Sequence, residues 1–180
     1  MAAVLLFLDI DGPLIPFGGA APYPVFDDGP GGSGDVGDEP GAANPLLGRI
    51  DPSLGPRLVA LHCELVWAST WLDDANAVVA PRLGFPPLPL VDWPDPAEDT
   101  GTDTPAGLHW KTRPLLARAA GRPFVWVDDE ITDVDRAWVS ARHPEPACLY
   151  RVDHRTGLRD PDFVALRRWL ARAVGVPEDR

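Results

Sequence analysis

Lysine is almost absent from this 180-residue chain, where Lys111 stands alone against fifteen arginines. Asp and Glu outnumber Lys and Arg by 27 to 16, for a formal net charge of -11. Phosphodiester backbones are held by clustered Lys and Arg, so this balance argues against nucleic acid as the main partner. Cysteine is also scarce. Cys63 and Cys148 lie in apolar segments without metal-site or redox spacing, which predicts buried, reduced thiols and fits a cytoplasmic address. No apolar run approaches the ~20 residues that span a bilayer, so no membrane segment is expected. The N-terminal run has no basic leader and ends in two acids, the pattern of a buried strand and not of a signal peptide.

Core-forming material is abundant. A hydrophobic fraction of 45% with seven Trp, in a length that one core can organise, predicts a single domain over residues 1–180. Residues 4–8 are continuously apolar, as in a strand covered on both faces of a parallel sheet. Similar runs recur at 65–68, 88–91 and 124–127, with a weaker fifth at 147–152. Prolines demote the run at 88–91 to an edge strand or a strand start. Helical patterns over 53–63, 71–81, 112–120, 132–142 and 161–174 separate these runs. Alternation of this kind predicts an α/β fold with crossovers over a mostly parallel sheet of about five strands.

Twenty of the 45 residues from position 12 to 56 are Gly or Pro. This reads as a long surface loop at about 16–52, with a short hairpin near 15–17 and mobility around 29–41. Residues 94–107 read as a second acidic, turn-rich loop.

Four clusters carry possible chemistry. Asp9 and Asp11 end the first apolar run, where open α/β sheets place their ligands. Residues two apart in an extended chain point the same way, and Gly12 lets the backbone turn sharply beside a ligand. Capping or turn aspartates at a strand end fit the same pair. Ser69 and Thr70 follow the second run and could hold a phosphate oxygen at a helix start, though an ordinary N-cap has the same composition. Lys111 opens a helix, where a cation opposes the dipole and calls for nearby carboxylates or a phosphate; a solvated lysine is the alternative. Asp128, Asp129 and Glu130 end the run at 124–127, and adjacent acids there suit a hard, oxygen-seeking ion such as magnesium or, alternatively, an acidic turn.

Taken in order, acid pair, hydroxyl, lysine and acid pair, with three of the four at the ends of apolar runs, the chain resembles the haloacid dehalogenase-like superfamily. Asp9-Ile10-Asp11-Gly12 and the segment 124–129 are the specific parts of the match, while Ser69 and Lys111 are assigned by order. The resemblance implies a three-layer sandwich around a Rossmann-like sheet and a magnesium-dependent phosphatase acting on a phosphorylated small molecule. It further implies that Asp9 attacks phosphorus and that Asp11 protonates the leaving oxygen and then activates water. Ser69, with Thr70 beside it, would hold phosphoryl oxygens, and Lys111 would neutralise Asp9 and the phosphate. Magnesium would be held by Asp9, the Asp11 carbonyl and Asp129, with Asp128 orienting its water. The presence of Asp11 favours phosphatases and phosphotransferases over dehalogenases.

The segment from Leu65 to Asn76 also looks like a small bacterial branch of that superfamily. Neither customary cap position holds enough helical sequence for a cap domain, so an open, minimally capped site is expected. Trp67 and Trp126 are expected in the core, and Trp71 and Trp110 are either core or pocket. The four histidines have no ligand spacing, although His109 lies near Lys111. The competing readings are a phosphotransferase with the same site, a non-catalytic binding module, and a nucleic-acid end phosphatase. The last would need a basic groove built from Arg113, Arg118, Arg122 and Arg151.

Overall fold

The computed structural model describes residues 3–19, 22–26, 44–94 and 105–173. Strands β1 (Leu5–Leu8), β2 (Glu64–Trp67), β3 (Phe124–Asp128) and β4 (Ala147–Arg151) form one sheet in the order β2-β1-β3-β4. All three pairings are parallel. The α/β class is as expected, but the sheet has four strands and not about five. The run at 88–91 supplies only an isolated bridge, in which Trp67 N–H donates to the Pro89 carbonyl at 2.9 Å and Val91 N–H donates to the Trp67 carbonyl at 3.0 Å. Pro86, Pro87 and Pro89 have no N–H to give, so the ladder cannot extend.

Successive side chains of a strand point to opposite faces. Leu6 and Leu8 accordingly join one core with Leu58, Phe163 and Leu166, while Leu5 and Phe7 join another with Leu115, Ala119 and Val139. These partners come from α1 (Leu54–Val59) and α4 (Asp160–Ala173) on one face, and from α2 (Thr112–Ala119) and α3 (Asp133–Arg142) on the other. Three layers therefore explain why the run is apolar without alternation. Its four fully buried residues contribute roughly 6–12 kcal/mol of gross hydrophobic stabilisation, which makes β1 a firm support for the acids at its C-terminal end.

The helical pattern over 71–81 resolves into shorter pieces, a π-type turn at Ala75–Val79 and a 3-10 turn at Pro81–Leu83. Pro81 cannot continue an α-helix, and Gly84 closes the segment at φ 69°. Gly55 of α1 backs onto this piece so closely that a Cβ would lie 1.9 Å from the Leu83 carbonyl oxygen.

The loop expectation needs correcting in its described parts. No hairpin forms at 15–17. Instead the Ile10 carbonyl accepts from both Leu14 and Ile15 N–H, at 2.9 and 3.0 Å, and this tight turn buries Leu14 and Ile15. A 3-10 turn at Pro45–Arg49, started by the Asn44 side chain, sends Leu47 and Ile50 into the core. The expected mobile stretch at 29–41 lies outside the described residues, as does most of the second loop. Cys63 and Cys148 are free and half-buried, and burial pushes each thiol up to about 11. No helix among the described residues is long and apolar enough to cross a membrane.

Candidate active site

From β1 the chain passes to β2 on one side and later to β3 on the other. Loops leaving β1 and β3 thus diverge at the C-terminal edge and open a crevice, the usual ligand position in such sheets. Asp9 follows β1, Asp128 ends β3 and Asp129 comes next. Asp9 N–H donates to the Val127 carbonyl at 3.0 Å, tying the two strand ends together.

All three carboxylates are buried, and one oxygen from each lies within 4.8 Å of the others. Lys111 is equally buried, with Nζ 2.8 Å from Asp9 Oδ2 and 2.8 Å from Asp128 Oδ2. Its position at a helix start is therefore compensated by carboxylates, and the alternative of a solvated lysine does not hold. One ammonium cannot balance three carboxylates, so the ionised group has room for a further cation, and an all-oxygen donor set suits a hard one.

The acids respond to this imbalance. Burial, followed by the Asp128 charge, pushes the Asp9 carboxyl up to about 7 against the opposing pull of Lys111. Burial and Asp128 likewise raise Asp129. For Lys111, burial favours the neutral form, but Asp9 and Asp128 together outweigh it and hold the ammonium above its ordinary value.

Asp128 and Asp129 are differently employed. Asp128 Oδ2 accepts from Lys111 Nζ and from Trp126 Nε1 at 3.1 Å, and Oδ1 accepts from Glu130 N–H at 2.9 Å. Asp129 is held more loosely, by its own backbone N–H and by His154 Nδ1 at 3.9 Å. Asp9, Asp128 and Asp129 together form the group that could hold an ion, and Asp128 is the most firmly fixed of the three.

Ser69 is buried just after β2, and its Oγ makes no hydrogen bond among the described residues. An orphaned buried hydroxyl costs about 1–3 kcal/mol, a cost that a ligand oxygen would remove. Asp11 is half-buried and outside the three-carboxylate group; its Oδ2 accepts from Trp71 Nε1 at 2.8 Å. Thr70 is exposed at the following turn. Of the residues singled out from sequence, Asp9, Lys111, Asp128 and Asp129 come together, Ser69 and Asp11 share their edge of the sheet, and Thr70 points to no shared contact among the described residues.

Asp135 escaped the sequence reading. Fully buried, it accepts from Thr112 Oγ1 at 2.6 Å, Thr132 Oγ1 at 2.6 Å, Thr132 N–H at 2.8 Å and His109 N–H at 2.8 Å. Burial opposes its charge, but these hydrogen bonds outweigh burial and hold the carboxyl below its usual range. The carboxylate thereby clasps the segment carrying Lys111 to the start of α3. Its signal was available as a capping box, Thr132 with Asp135 three residues on.

The four arginines of the supposed basic groove do not share one. Arg122 bonds the Ala3 carbonyl and Glu64 at the N-terminal edge of the sheet, whereas Arg151 Nε donates to the Asp129 carbonyl at the opposite edge. A cavity of about 530 Å³ behind the Gly12 turn is lined by Pro13, Tyr23, Arg49, Arg155 and Arg159 among others, and by none of the acidic-site residues. Comparison of the chain with protein-family models, with curated proteins and with solved structures returns no match.

Proposed function

We propose that the chain is a magnesium-dependent phosphohydrolase of the haloacid dehalogenase-like kind, releasing phosphate from a phosphomonoester through an aspartyl-phosphate on Asp9. The observation that carries this reading is the buried Lys111 ammonium, 2.8 Å from both Asp9 and Asp128 within a converging group of three carboxylates at the switch point of the sheet. An acid cluster alone suits many roles. A lysine shared with the acid at the end of the central strand, with a serine hydroxyl unpartnered among the described residues after the neighbouring strand, suits an anion that must approach a carboxylate.

In this reading an Asp9 oxygen forms a bond to phosphorus while the bond from phosphorus to the alcohol oxygen breaks. Asp11 gives its proton to that leaving oxygen. As a carboxylate it then takes a proton from water, whose oxygen attacks phosphorus, expels the Asp9 carboxylate and yields inorganic phosphate. The Trp71 indole holds Asp11 Oδ2 and leaves Oδ1 for the proton. Lys111 offsets the charge of Asp9 as the anion approaches, and Ser69 Oγ donates to a phosphoryl oxygen. Magnesium, held by Asp9 and Asp129 with Asp128 in support, would supply charge neutralisation at the phosphoryl oxygens.

The test is phosphate release from phenyl phosphate with magnesium and with a chelator present. Release should require magnesium, vanish in Asp9→Asn, and fall about 10²- to 10⁴-fold in Asp11→Asn. Release that persists in purified Asp9→Asn protein would overturn the proposal.

A further inference from the structure

Three tryptophans stand at the mouth of the acidic site, each attached to a different one of its residues. Trp71 Nε1 donates to Asp11 Oδ2 at 2.8 Å, Trp93 Nε1 donates to the Ser69 carbonyl at 3.1 Å, and Lys111 Nζ lies 5.7 Å from the centre of the Trp110 ring. Trp93 and Trp110 meet edge to face with centroids 4.8 Å apart. Their sequence separation is wide, so the fold has gathered them at this one edge.

Core packing does not account for Trp110. Trp67 and Trp126, on the strands beneath, are 1% and 0% exposed, but Trp110 leaves 49% of its surface open. An indole is among the costliest side chains to leave in water, and a half-open one beside a buried ammonium offers a flat apolar surface at the entrance to a charged site. Trp93 braces it from the side. Ring faces attract planar groups whatever the net charge of the chain.

We infer that Trp110, braced by Trp93, forms a leaving-group subsite, so that the site takes phosphomonoesters whose alcohol carries a planar aromatic ring in preference to aliphatic ones. This rests on the phosphohydrolase reading of the same site. A nucleoside monophosphate and an aryl phosphate share the required chemistry. Stacking on such a platform is worth roughly tenfold or more in affinity.

The experiment measures binding apart from turnover, in Asp9→Asn protein with magnesium present, a background that removes the nucleophile and one negative charge together. Adenosine monophosphate, phenyl phosphate and glycerol phosphate are titrated in a calorimeter, and the first two arms separate a nucleoside from a simple aryl ester. At least one ring-bearing ester should bind about tenfold tighter than glycerol phosphate. That ratio should fall towards one when Trp110→Ala is added and should survive when Trp110→Phe is added instead. Equal affinity for all three esters, no binding of either ring-bearing ester, or a preference that Trp110→Ala leaves intact would each overturn the inference. Phosphate release is scored separately on the unsubstituted chain. A chain that hydrolyses ring-bearing and aliphatic esters alike without discriminating in binding keeps the reaction and loses the subsite; one that discriminates in binding but releases no phosphate keeps the subsite and loses the reaction.

Discussion

Gly12 backs directly onto the Asp129 carboxylate: a Cβ at position 12 would lie 2.6 Å from both Cγ and Oδ1 of Asp129. The backbone there has φ +85°, which side chains other than glycine's resist. Turn and acid from distant parts of the sequence are thus fitted to each other. Gly12→Ala should lower the unfolding free energy by about 1–3 kcal/mol and displace the carboxylate. Because Asp129→Ala removes the two nearest obstructing atoms, Cγ and Oδ1, and leaves only Cβ at 2.9 Å, the double variant should lose less stability than the sum of the single losses, as read from urea denaturation.

Lys111→Met keeps the length of the side chain and leaves Asp9 and Asp128 without their shared cation. Removing one partner of a buried ion pair costs about 3–5 kcal/mol. The loss should be larger at about pH 8 than at about pH 5, where Asp9, raised to about 7, takes up a proton. Denaturation curves at the two pH values check both statements.

Asp9 itself gives the metal-free chain a pH dependence of definite sign. Its folded value of about 7 lies above the ordinary 3.8, so between these values the folded state holds a proton that the unfolded state has lost. Stability must then fall as pH rises through that window, with the penalty fully present above it. Asp9→Asn should flatten the decline in Tm, and added magnesium should oppose it in the unsubstituted chain by favouring the carboxylates.

Asp135→Asn leaves an amide with one acceptor oxygen where a carboxylate met four donors. Stability should drop by at least about 2 kcal/mol, since stranded buried donors cost about 1–3 kcal/mol each. Asp135 sits below its usual range, so its contribution is complete above the ordinary carboxylate value and is lost as pH falls through the folded one. The gap between variant and unsubstituted chain should accordingly close in acid, measured by urea denaturation across pH.

The fold was legible because burial on both faces leaves continuous apolar runs, and β1, β2 and β3 all carry them. Run 88–91 reads from its prolines as an edge strand or strand start, and the missing N–H donors reduce it further, to a single bridge. Leu14, Ile15, Leu47 and Ile50 were hidden as isolated core anchors inside a Gly- and Pro-rich stretch without periodicity. At the site, Asp9, Asp128 and Asp129 were singled out by their positions at strand ends and Lys111 by its order in the chain, and the fold brings the four together. The resemblance divided the duties of Asp128 and Asp129, but the hydrogen bonds that fix Asp128, from Trp126 and the Glu130 amide, are set only by the folded chain. Trp93 carried no signal at all; only the folded chain brings its indole to the Ser69 carbonyl.

The central claim is a covalent phosphoryl group on Asp9, and the most direct measurement is mass spectrometry of acid-quenched Asp11→Asn protein after exposure to phenyl phosphate and magnesium. Without Asp11 to activate water the intermediate should accumulate, and the peptide containing Asp9 should carry the added mass of one phosphoryl group. The same peptide from Asp9→Asn protein should carry none. Phosphate release with no adduct on that peptide, or an adduct that survives Asp9→Asn, would contradict the account.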